Sequence, residues 1–104
     1  MGVKAAVEQD WALAQKYLKQ AAETGDYTSQ FEYAFLLETS TPPVQDNIGA
    51  YAWYTVVILR GGENATTAQT CRDRVERNLT EADLQQAKSL AQELMTKFGQ
   101  SRSN

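Results

Sequence analysis

Side-chain catalysis needs an acid, a base or a nucleophile held beside its partner. The acid pairs Glu8/Asp10 and Glu81/Asp83 are the residues spaced for such work, because two nearby carboxylates can divide acid and base roles. The chain has no histidine, which removes the commonest general base, the usual catalytic triads and most zinc sites. Carboxylate-only hydrolysis is what remains. It is the weakest of the readings, since no nucleophile accompanies either pair and no glycine-rich phosphate loop is present. Asp10 and Asp46 are better placed as helix-start residues, where a carboxylate accepts free backbone N–H groups for about 1 kcal/mol. The single cysteine, Cys71, excludes an internal disulfide and a cysteine-rich metal site, and reads as a small buried hydrophobe. The sequence therefore assigns no catalytic, cofactor-binding or metal-ligating residue and expects a protein that is not an enzyme.

The remaining composition bounds what kind of partner is left. With 104 residues the chain can make one compact domain or a short repeat array. Its net charge of −3 argues against nucleic acid, which demands a basic surface. No apolar run is long enough to span a membrane, and the opening "MGVKAAVEQD" has no apolar leader core. Location is left open between bacterial cytoplasm and periplasm. Asn64-Ala65-Thr66 and Asn78-Leu79-Thr80 fit the glycosylation pattern, but both asparagines suit turns or caps, and chance is the preferred reading.

Five helices would have to position any binding residue. Segments rich in Ala, Leu, Gln, Glu and Lys predict helices at roughly 9–24, 28–39, 46–60, 64–78 and 80–98. Gly25 and Gly61–Gly62 stand where helices stop, and Thr80 with Asp83 resembles a capping box opening the last helix. That helix carries Leu84, Ala87, Leu90, Ala91, Leu94 and Phe98 on one stripe, with Gln85, Lys88, Gln92 and Thr96 opposite. An internal repeat is also legible. At an offset of 36, from Asp10 to Asp46, Gln9 falls on Gln45, Ala14 on Ala50, Tyr17 on Trp53 and Gly25 on Gly61. The second halves align only after a one-residue shift.

The stretches "VEQDWALAQKYLKQAAETGDYTSQFEYAFLLE" and "PVQDNIGAYAWYTVVILRGGENA", with the closing "RDRVERNLTEADLQQAKSLAQE", resemble the Sel1-like repeat, a relative of the tetratricopeptide repeat. The resemblance covers roughly residues 7–98, and "QAAETGD" followed by "SQFEYAFLLE" is its most specific part. "VVILRGG" and "TSTPPV" depart from the family pattern. The resemblance implies an all-α fold, an α/α superhelix (solenoid) of about two helix-turn-helix repeats. Repeat one would span about 9–45, repeat two about 46–79, and a capping helix about 80–98, in a single domain over 1–104. It further implies a scaffold or adaptor for another protein or peptide, with no cofactor and no catalytic residues.

Helix three is apolar nearly all round: Ala50, Trp53, Tyr54, Val57 and Ile58 form one face, and Ala52, Val56 and Leu59 the other. The bland reading is a helix packed on both sides; the sharper one makes part of it a docking surface. Tyr17, Phe31, Tyr33, Phe35, Trp53 and Tyr54 are expected in the core. Tyr51 and Trp11, nearer the element edges, are expected at contacts. The partner-binding candidates are accordingly Trp11, Gln15, Lys19, Tyr51, Ala52, Thr55, Val56 and Leu59. A second copy of the chain, meeting it through exposed apolar surface, is the alternative occupant, and a segment of a longer array is the structural rival.

Overall fold

The computed structural model describes residues 2–42 and 44–99, with side chains from residue 13 onward. Five α-helices follow one another: α1 Gly2–Glu23, α2 Tyr27–Thr39, α3 Asn47–Arg60, α4 Ala65–Glu76 and α5 Glu81–Phe98. No strand occurs among the described residues. The smallest dimension is 21 Å, about two helix diameters.

Short polar side chains set most of the starts. Asp26 accepts from the Ser29 N–H before α2, Asp46 from the Gly49 N–H before α3, and Thr80 from the Asp83 N–H before α5. α1 differs from the sequence expectation. It begins at Gly2 rather than near residue 9, so Asp10 stands inside the helix and is not its start. The physical reason is that nothing between Gly2 and Gly25 breaks a helix, while Val3, Ala5, Ala6 and Val7 continue it. Two stops hold as read: Gly25 has φ 96° and Gly61 φ 74°, a left-handed turn that only glycine enters without strain. Gly62 is constrained differently, since a Cβ there would lie 2.5 Å from the Tyr27 ring.

α3 is the hub. It packs against α2, α4 and α5, while α1 packs on α2 and only touches α5. Ala50, Ala52, Trp53, Tyr54, Val56 and Val57 are all buried as a result. Trp53 lies edge-on to Tyr33 and stacks on Phe98, with ring centres 5.7 and 5.9 Å away. Tyr54 meets Phe31 at 6.0 Å. Two aromatics expected in the core are outside it: Tyr17 is 59% exposed and Phe35 46%. Tyr17 occupies the repeat position of Trp53, yet no helix lies over that face of α1 as α5 lies over α3.

Buried polar groups tie the helix ends together. Gln30 has no exposed surface; its Nε2 donates to the carbonyls of Ala22 (3.0 Å) and Phe98 (2.9 Å). Its Oε1 accepts from Arg60 Nη1 at 2.8 Å, and the same nitrogen donates to the Gly25 carbonyl. The ends of α1, α3 and α5 thus meet at one amide. The Arg60 guanidinium also lies 5.5 Å over the Tyr27 ring, whose hydroxyl accepts from the Asn64 N–H. That contact supports the start of α4, which has no side-chain cap.

Candidate functional site

Among the described residues, α4 and α5 are not packed on one another although both pack on α3. The gap between them is a trough of about 670 Å³, open to solvent. α3 supplies its floor through Tyr51, Thr55 and Leu59. Arg72 of α4 forms one wall, and Lys88, Ala91, Gln92, Met95 and Thr96 of α5 form the other. From Lys88 to Thr96 the α5 wall runs roughly 12 Å at the helical rise, the length of about four extended residues.

The floor and the α4 wall are locked together by one side chain. Arg72 lies 5.3 Å over the Tyr51 ring, and its Nη1 donates to Thr55 Oγ1 at 3.2 Å. Thr55 in turn donates to the Tyr51 carbonyl at 2.8 Å. The guanidinium is therefore held in place before any ligand arrives, and its Nε is buried without a hydrogen-bond partner. Arg72 and Lys88 make no ion pair with a described carboxylate, and no acid lines the trough. The apolar part is equally defined: Leu59 is 61% exposed, Met95 packs partly buried against the core, and Ala91 belongs to the core.

The eight sequence candidates separate into three groups. Tyr51, Thr55 and Leu59 are brought together in the trough floor, although Tyr51 is only 5% exposed. Ala52 and Val56 are a correction: both are completely buried, because α2, α4 and α5 pack around α3 and leave Leu59 as its one exposed large apolar side chain. Gln15 and Lys19 lie on α1, half-buried and exposed respectively, and take no part in the trough. Trp11 also belongs to α1, and its side chain lies outside the described residues. Sequence reasoning missed the other walls. Lys88, Gln92 and Thr96 read only as the polar face of the last helix, Arg72 is not among the binding candidates, and no pattern in either helix shows that the two face one another.

The remaining titratable cluster is structural. Glu38 accepts hydrogen bonds from the Tyr54 hydroxyl (2.7 Å) and from Arg74, which grips it with both Nε and Nη2. Burial would raise the Glu38 carboxyl, but the Arg74 and Tyr54 hydrogen bonds prevail and hold it below the ordinary glutamate range. Burial first, then the hydrogen bond to Glu38 and the Glu38 charge, push the Tyr54 phenol far above its usual value. A carboxylate so held is the reverse of a general acid, whose pKa must be raised. Glu81 and Asp83 occupy the first turn of α5, where they complement the helix dipole. Cys71 is buried. Comparison of the chain with protein-family models, with curated proteins and with solved structures returned no significant match.

Proposed function

We propose that this chain is a non-enzymatic binding scaffold that takes a peptide segment of another protein into the trough between α4 and α5. The observation that carries the reading is the trough itself: a preformed floor and two walls with an exposed leucine beside a fixed guanidinium. Peptide-binding grooves combine apolar anchors with a few placed polar groups, and this one has both. The scaffold is read as two helix-turn-helix units of the Sel1-like kind, α1–α2 and α3–α4, closed by α5. The left-handed glycines at the repeat offset, Gly25 and Gly61, support that reading. So does the cap on α3 at the position that opens the second unit.

The test is selection of random peptides displayed on phage against the whole chain, with Leu59→Glu as the counter-target. Leu59 is 61% exposed, so the variant keeps its fold. The expected result is a set of peptides that bind the natural chain and not the variant. Peptides that bind both equally, or none at all, overturn the reading.

A second reading has one observation of its own. Leu13 and Tyr17 lie four residues apart on one face of α1 and are 50% and 59% exposed. A second copy of the chain, or a further repeat of a longer array, would cover that face. Sedimentation of the natural chain and of Tyr17→Glu decides it: a concentration-dependent dimer that the substitution abolishes supports the reading, and a monomer at all concentrations removes the self-association form.

A further inference from the structure

The trough differs in charge from the molecule that carries it. The chain has ten basic and thirteen acidic residues, yet the trough holds two cations and no carboxylate. Of the other described cations, Lys16, Lys19 and Arg77 are exposed outside the trough, and three have their charge answered or their donors occupied. Arg74 is paired with Glu38, Lys97 faces Glu93 at 3.7 Å, and Arg60 donates to the Gly25 carbonyl and the Gln30 amide. Arg72 is held only by a ring face and a hydroxyl, both neutral. Its Nη2 is in no hydrogen bond with a described residue. Lys88 stands on the opposite wall, exposed, and likewise without an acid. A half-buried guanidinium without its counter-charge is unfavourable in the free protein, and a bound anion supplies what the fold does not.

From this arrangement we infer that the trough selects an acidic peptide segment, one whose Asp or Glu carboxylate sits between Arg72 and Lys88 while a neighbouring apolar side chain covers Leu59 and Met95. The inference rests on the trough being the binding site and adds what it binds. Three features fix the occupant's chemistry. Arg72 and Lys88 put two cationic donors on the two walls of one trough, which suits a carboxylate. Met95 is an adaptable apolar surface, and Leu59 needs cover. The roughly 12 Å of the α5 wall admits a stretch of chain in which both groups are present within about four residues. The surrounding negative charge of the chain makes the contact local: a long acidic tract is repelled outside the trough, whereas one or two carboxylates are attracted within it.

The composition of the peptides selected on the natural chain, together with their affinity for two charge variants, tests this separately from the site itself. Binding is measured by fluorescence anisotropy with the selected peptides as probes. The expected peptides carry Asp or Glu within a few positions of Leu, Ile, Phe or Met. Lys88→Glu weakens them about tenfold, a step typical of reversing one close charge pair, and their affinity falls as salt rises. Lys16→Glu makes the same charge change on exposed α1, away from the trough, and leaves affinity unchanged. Leu59-dependent peptides that are neutral or basic, or that bind Lys88→Glu undiminished, overturn the acidic preference and leave the trough as the site. Absence of any Leu59-dependent peptide overturns both.

Discussion

Gln30 joins three helix ends through one side chain, and its replacement measures what that junction is worth. Gln30→Leu keeps a comparable volume but leaves the Ala22 and Phe98 carbonyls without their side-chain donor and removes the oxygen that Arg60 addresses. Buried polar groups deprived of partners cost about 1–3 kcal/mol. The expected outcome is a fall of that size in unfolding free energy by urea titration, and an unchanged value would mean that water replaces the amide. Glu38 gives the pH dependence. Its folded-state pKa is depressed, so the stability it contributes is present above the ordinary glutamate value of about 4.3 and is lost as pH falls through the folded value. Thermal unfolding of Glu38→Gln between about pH 5 and pH 3 is expected to be less acid-sensitive than that of the natural chain. Some sensitivity remains, because hydrogen bonds from Ser29 also hold Asp26 below its usual range.

At the scale of elements, the caps and glycines were the most readable features, and they are local by nature. A cap depends on a side chain and a backbone N–H three residues away, which a sequence displays directly. Thr80→Ala removes the hydroxyl that accepts from the Asp83 N–H, and the expected loss is about 1 kcal/mol, read as a lower unfolding midpoint. Gly62→Ala is expected to lose about 1–3 kcal/mol by the same measurement, because the new methyl enters the Tyr27 ring at 2.5 Å. That ring is held by the Asn64 N–H and the Arg60 guanidinium and has little freedom to move aside. The early start of α1 was misread for a related reason. The repeat matches Asp10 to Asp46, but Asp46 stands in the break between α2 and α3, whereas Asp10 is preceded by helix-forming residues.

For the whole molecule, the position of α5 decides the function assigned to it. Packed on α3 and apart from α4, it leaves the trough; closed against α4, it would bury Leu59 and Arg72 and leave no site. The same placement makes Trp53 a core residue and leaves its repeat counterpart Tyr17 exposed. Two surfaces therefore differ in kind. The trough is predicted to bind acidic peptides with a salt-dependent affinity, and the α1 face of Leu13 and Tyr17 is the surface proposed for self-association.

The sequence alone determined the helices, the glycine stops after α1 and α3, the start residues of α3 and α5 and the apolar stripe of α5, because each depends on side chains within about one or two turns of one another. It also marked α3 as the element to watch, since a helix without a wet face must be covered. Which residues of α3 stay uncovered was decided by tertiary structure. Ala52 and Val56 look the same as Leu59 in the sequence, yet only Leu59 lies beyond the reach of the three neighbouring helices. The pairing of Arg72 with Lys88 across the trough has the same origin. They are sixteen positions apart on two helices that do not pack together, so no periodicity connects them. Only the shared floor of α3 brings their charges to one place.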